Sequence, residues 1–228
     1  MMKRKTMCWV LTMAFLAWCV PAFSLAAEEK TLDLAGGSIT ITKTKYVQNG
    51  QETPYSGAYR IKQSGGQTTN TITVQSGDIA MTLENVNMAE GAGKMPPIAV
   101  ESGAHLTLTL AGENTLTTAS HGVSAADAIR VPEGARLTVK GEGKLTAETK
   151  GGACIGVSTG KSGTIRIEGG VIEATNRDGS AIGGGWGAAA GPIYITGGQI
   201  TAHGYGNTAA IGGGGNGMGK AELVEISG

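Results

Sequence analysis

Apolar residues alternate with other residues in short segments that recur along the chain at nearly constant spacing. Segments beginning Met81-Thr-Leu, Leu108-Thr-Leu, Leu137-Thr-Val, Ile165-Arg-Ile, Ile193-Tyr-Ile and Val224-Glu-Ile start 27, 29, 28, 28 and 31 residues apart. Alternation of period two predicts strands with one buried face. At a fixed offset each segment reaches Asn85, Gly112, Gly141, Gly169, Gly197 or Gly228, residue types that tolerate a left-handed turn.

A second strand is predicted after that turn, with inward pairs Leu116 and Thr118, Leu145 and Ala147, Ile172 and Ala174, and Ile200 and Ala202. A third is marked by Ile72, Ile98, Ile129, Ile155, Ile182 and Ile211; the later copies follow Ala128, Cys154, Ala181 and Ala210. Cys154 thus takes a slot otherwise held by Ala and reads as a small buried hydrophobe. The run Ala181-Ile-Gly-Gly-Gly returns 29 residues later at Ala210.

A fixed period near 28 residues means a stack of like units, each leaning on its neighbours. Three short strands per coil and no helical periodicity predict an all-β, right-handed parallel β-helix, or β-solenoid, of five to six coils. The right hand follows from the hand of parallel crossovers. Stacking would place Leu108, Leu137, Ile165 and Ile193 in one interior column, with coils about 4.8 Å apart. Residues 28–70 fit the period less cleanly and are expected to form an N-terminal β cap over an otherwise open sheet edge, leaving 71–228 as the repeats. The last segment stops at Ile226-Ser-Gly, where Ile195-Thr-Gly continues into a second strand. The expectation is therefore of a fragment, truncated before its remaining coils.

The beginning of the chain follows another pattern. Lys3-Arg4-Lys5 precede an apolar run from Met7 to Val20 that ends in Pro21 and small residues. Residues 1–27 read as a signal peptide cleaved near Ala26 or Ala27, too short in its apolar part to anchor the protein in a membrane. A secreted or cell-surface protein, monomeric, is expected. Removing those residues removes both Phe, two of three Trp and two of three Cys, but none of the 39 Gly. The interior must then be narrow and aliphatic. The formal charge falls from zero to about −3, because Lys3, Arg4 and Lys5 are lost from 18 basic residues against 18 acidic. That balance offers nothing to nucleic acid. With Cys154 alone, no intramolecular disulfide is possible.

The stretch from Thr71 to Gly228 resembles the glycine-rich, secreted parallel β-helix proteins of bacteria described as carbohydrate-binding-domain proteins. The residues that carry the resemblance are the two Ala-Ile-Gly-Gly-Gly runs, the Gly-Gly-x-Ile-x-Ala steps at 169 and 197, Leu108-Thr-Leu-Ala-Gly-Glu-Asn-Thr-Leu, Asn70-Thr-Ile-Thr-Val and Met81-Thr-Leu-Glu-Asn-Val. It implies a fold like that of polysaccharide lyases and polysaccharide binding, to a cell-wall, plant or host glycan, at the bacterial cell surface.

The means of such binding are expected at the outward positions of the first strand. Those positions predict two ladders: Thr82, Thr109, Thr138, Arg166, Tyr194, Glu225, and Glu84, Ala111, Lys140, Glu168, Thr196, Ser227. Arg166, Glu168 and Tyr194 would form a patch of fork donor, carboxylate and flat ring. Trp186 and Tyr205, in glycine-rich turns, join them as carbohydrate-binding candidates, because a pyranose face packs on an aromatic ring while its hydroxyls take paired hydrogen bonds. The competing account of that patch is a surface cation–π contact beside a Lys140–Glu168 ion pair.

No catalytic residue is assigned. The carboxylates are scattered, and Glu168, Glu173 and Asp178 do not make a paired-carboxylate site. No cofactor or metal is expected: His105, His121 and His203 are irregularly spaced, and the Gly-rich runs lack the Asp of a calcium-binding repeat and the Lys-Ser/Thr of a phosphate loop. Those glycines read as corner geometry. The function expected is non-catalytic polysaccharide binding, with a structural stalk or adhesin spacer as the alternative, and a polysaccharide lyase or hydrolase after it.

Overall fold

The computed structural model describes residues 29–122, 124–215 and 219–228, so the segment 1–27 expected to be a signal peptide lies outside the described residues. Parallel strands stack as a β-solenoid of about 7 turns with roughly 28-residue spacing, one or two turns more than the five to six expected. The first face consists of Lys30–Asp33, Tyr59–Lys62, Asp78–Glu84, His105–Ala111, Arg136–Gly141, the first part of Thr164–Asn176, the first part of Ala190–Gly204, and Ala221–Ile226. Asn87–Ala89, Glu113–Thr117 and Lys144–Thr149 begin the second face, which the remainders of the two long strands continue. The third face runs Ile39–Ile41, Ile72–Val74, Ile98–Val100, Ile129–Arg130, Ile155–Val157, Ile182–Gly184 and Ile211–Gly212.

The additional turns come from residues that break the sequence period yet keep its register. Lys30–Asp33 pairs in parallel with Tyr59–Lys62, which pairs with the strand holding Met81. Between them the hairpin Lys45–Gln48 and Gln51–Pro54 joins the free edge of Ile39–Ile41 in antiparallel fashion. Tyr46 and Tyr55 pack edge-to-face on Tyr59, at 6.1 and 5.1 Å between centroids. Three tyrosines thus plug the N-terminal end of an otherwise aliphatic interior.

The third-face column is the predicted one: Ile72, Ile98, Ile129, Ile155, Ile182 and Ile211 stack in order. The first-face column is not. Leu137 pairs with Leu106, and Leu108 pairs with Val139. The interior columns are therefore Ile79–Leu106–Leu137–Ile165–Ile193 and Met81–Leu108–Val139–Ile167–Ile195. The same slip of two residues recurs on the second face, where Leu145 pairs with Asn114 rather than Leu116. A shift of two keeps the buried face buried, so alternation could not detect it. Its cause is a longer connection in that coil, residues 118–128, against residues 150–154 in the next. Asn114 fills a leucine slot without loss because its amide is satisfied: Oδ1 accepts from Val86 N–H at 3.3 Å, and Nδ2 donates to the carbonyls of Ala111 at 3.0 Å and Lys144 at 3.1 Å.

The outward ladders change accordingly. They read Ala80–Thr107–Thr138–Arg166–Tyr194–Glu225 and Arg60–Thr82–Thr109–Lys140, with Glu168 brought opposite Gly197 by a bulge. The two long strands bend through left-handed Gly170 and Gly198, one residue beyond the predicted corners.

The corner reading of the glycine-rich runs needs a second correction. Gly183 and Gly212 of those runs stand inside third-face strands at φ +120° and +135°, and a Cβ on Gly183 would be driven into the Gly212 carbonyl oxygen of the next coil, as one on Gly156, at φ +147°, would be into that of Gly183. These glycines allow backbone to lie on backbone.

Candidate functional site

The structure divides the predicted carbohydrate residues between two regions. Arg166 and Tyr194 are neighbours on the first face, with the guanidinium carbon 4.6 Å from the ring centroid. Glu168 Oε1 is 3.9 Å from Arg166 Nε, and the predicted Lys140–Glu168 ion pair is absent among the described residues. Trp186 and Tyr205 lie at the corner joining the second and third faces, on cavities that none of those three residues lines.

A groove of about 990 Å³ runs along that corner. It crosses the rungs marked by Thr68, Met88, Leu116, Ala147, Ala174 and Ala202, five coil steps, or roughly 24 Å at the usual strand spacing. Its floor comes from one outward ladder of the second strand, Ala89–Thr117–Glu148–Thr175, which Tyr205 closes at one end. Lys94, Lys150 and Arg177 add cationic side chains and Glu90 a carboxylate. Alternation places these residues outward for the same reason that it places Leu116 and Ala147 inward.

Thr118 and Ala119, from the long connection after the second strand, line one side of the groove, and side-chain hydrogen bonds hold the described part of that connection. Glu90 Oε2 accepts from the backbone N–H groups of Ala119 and Ser120, both at 2.9 Å. Thr118 Oγ1 donates to the Ala126 carbonyl at 3.0 Å, while Ser120 Oγ accepts from Ala126 N–H at 2.7 Å. The connection leans on the next coil at Gly151, where a Cβ would come within 2.9 Å of the Ala125 Cβ.

A cavity of about 210 Å³ adjoins the groove and shares Arg177 and Tyr205 with it. Trp186, Asp178, Asn207 and Thr208 complete most of its lining. Asn176, fully buried, holds it together. Its Nδ2 donates to the carbonyls of Gly152 at 2.6 Å and Ser180 at 3.0 Å. Its Oδ1 accepts from the N–H groups of Asp178 at 3.0 Å and Gly179 at 2.9 Å. All four hydrogen-bonding positions of the amide are used, so the turn that presents Arg177 and Asp178 is fixed. Thr208 Oγ1 lies 3.2 Å from the Gly179 carbonyl and 3.0 Å from the Tyr205 carbonyl, which ties the two walls together. His121 Nδ1, from the long connection, stands 3.6 Å from Asp178 Oδ2.

Sequence reasoning reached Trp186 and Tyr205 but missed the groove, because it searched outward positions only on the first strand. The signals present were the outward Thr117, Glu148 and Thr175, and Asn176 at the end of a strand before a Gly-Ser turn.

Two buried titratable groups lie near this corner without facing the groove. Burial pushes the Asp127 carboxyl up to about 8, against the lowering pull of the backbone N–H groups of Ala153 and Ser158 and of the Arg130 charge. Burial likewise pushes the Cys154 thiol up to about 12, in keeping with the inert role expected of it. No group of three or more His, Cys, Asp or Glu able to hold a metal ion occurs among the described residues. No helix among the described residues is long and apolar enough to cross a membrane. No protein-family model, curated protein or solved structure matches the chain.

Proposed function

We propose that the chain is an exported, non-catalytic β-solenoid domain that binds a polysaccharide at the bacterial cell surface, with the glycan laid along the corner groove. The observation that carries this reading is the form of the groove. It crosses five coil steps with an aromatic ring at one end, and successive coils set Thr117, Glu148 and Thr175 along its floor. A repeating polymer meets such a surface in register, many weak hydrogen bonds being added over a preformed site. The resemblance to carbohydrate-binding β-helix proteins and the leader-like residues 1–27 support the same assignment.

The carboxylates of the groove speak for binding rather than hydrolysis. Glu90 is engaged by two backbone N–H groups, and Glu148 lies two coils away from its rung. The test is affinity electrophoresis of the mature protein in gels containing neutral or acidic polysaccharides. At least one polysaccharide should retard it, and Tyr205→Ala and Arg177→Ala should each weaken that retardation about tenfold. Unretarded migration through the whole panel would refute the reading and favour a stalk, and release of unsaturated or reducing ends would make the protein an enzyme.

A further inference from the structure

The groove and its adjoining cavity share Arg177 and Tyr205, so ligands in the two would touch the same two side chains. We propose that the site recognises a branched polysaccharide, whose main chain follows the groove and whose single-residue side branch enters the Trp186 cavity. The inference rests on the polysaccharide reading of the groove and adds the class of glycan.

Size argues for one residue. At about 30 Å³ per water, the 210 Å³ cavity holds roughly seven waters, which is the scale of one sugar ring and well below that of a chain. Its chemistry fits the same guest. Trp186 is 37% exposed and Tyr205 58% exposed, and they offer ring surface to the apolar face of a pyranose. Arg177 and Asp178, with Nε and Oδ1 3.9 Å apart, offer a donor fork beside an acceptor for hydroxyls.

The walls are set before any ligand arrives. Asn176 fixes the Arg177–Asp178 turn, and Tyr205 N–H donates to the Asn176 carbonyl at 3.1 Å. Trp186 N–H donates to the Gly151 carbonyl at 3.2 Å, so the tryptophan backbone is held from the preceding coil. Little ordering entropy is left to be lost on binding. The division of labour follows: Tyr205 and Arg177 serve both parts of the ligand, whereas Trp186 serves the branch alone.

Matched pairs of glycans that share a backbone test this directly: linear mannan and galactomannan oligosaccharides, and cello-oligosaccharides and xyloglucan oligosaccharides, titrated calorimetrically into the mature protein. For the pair that binds, the branched member should bind at least tenfold tighter. Trp186→Ala should abolish that advantage and leave the affinity for the linear member unchanged, while Tyr205→Ala weakens both. Because the Trp186 side chain is partly exposed, the variant should melt within about 2 °C of the wild type. Equal affinity for both members, or a branched preference that survives Trp186→Ala, would overturn the branch assignment and leave groove binding standing. Failure of all four to bind would overturn the branch assignment, and unretarded migration through the whole polysaccharide panel as well would refute both.

Discussion

Tyr205 and Asn176 belong to successive coils and are joined by a 3.1 Å hydrogen bond from the Tyr205 N–H to the Asn176 carbonyl, directly beside the amide that organises the neighbouring turn. One buried residue thereby holds both walls of the smaller cavity, the Arg177–Asp178 turn through its side-chain amide and Tyr205 through its backbone carbonyl. Asn176→Ala leaves two carbonyls and two N–H groups without their partner in a site closed to water. The expected loss is about 3 kcal/mol or more, from the penalty for unsatisfied buried groups. Urea unfolding measures it, and a loss below about 1 kcal/mol would show that the turn holds without its amide.

The backbone contact at Gly156 makes a sharper demand. Gly156→Ala combines a φ of +147° with a Cβ aimed into the Gly183 carbonyl, and neither coil can retreat without breaking the third-face ladder. Destabilisation of about 3 kcal/mol or more is expected. Gly66→Ala, with open space around its Cβ and no left-handed φ, should change stability by less than about 0.5 kcal/mol. Paired denaturation curves of the two variants decide the matter.

The Asp127 carboxyl gives a dependence on pH whose sign is unusual for an acid. Burial raises it from 3.8 unfolded to about 8 folded, so between those values the native state holds a proton that the unfolded state releases. Its contribution is fully present below pH 4 and is lost as the pH rises to about 8. Asp127→Asn keeps the acceptor for Ala153 N–H, at 2.8 Å in the wild type, and cannot ionise. The variant should match or exceed wild-type stability at pH 9 and show a flatter profile between pH 4 and 8. A wild-type profile that climbs through that window relative to the variant would contradict the buried carboxyl.

Cys154 is chemically silent in the same interior. Its Sγ sits 3.3 Å from the Ala147 carbonyl and 3.2 Å from the Thr175 carbonyl, and burial holds the thiol up to about 12. At pH 8 the folded protein should resist a maleimide that labels it fully in urea. Labelling of the folded protein within minutes would mean that this part of the coil opens.

The solenoid, its period and the third-face column were legible in the sequence because burial imposes alternation and stacking imposes repetition. Register was legible only where connections stay short. The long connection 118–128 shifted two faces by two residues, and alternation is blind to an even shift; Asn114 could be placed opposite Leu145 only from the pairing itself. The site was half legible for a related reason. A lone aromatic in a glycine-rich turn marks Trp186 and Tyr205, but the concavity between coils depends on where a connection folds, and the bonds from Glu90 to residues 119 and 120 have no local signature.

The division of the predicted residues yields a last test, since Tyr194 and Tyr205 are both tyrosines on successive stretches of one chain. Tyr194 lies under the Arg166 guanidinium on the first face, a contact worth about 0.5–1 kcal/mol at an exposed site, and it lines neither the groove nor the smaller cavity. Tyr194→Ala should therefore lower stability by no more than about 1 kcal/mol and leave polysaccharide retardation within twofold of wild type. Tyr205→Ala should do the reverse, weakening retardation about tenfold with little change in unfolding, because its ring is 58% exposed and carries little of the core. If Tyr194→Ala abolishes retardation instead, the glycan lies on the flat first face along the Arg166 ladder, and the groove is only the seam where a long connection crosses the coils.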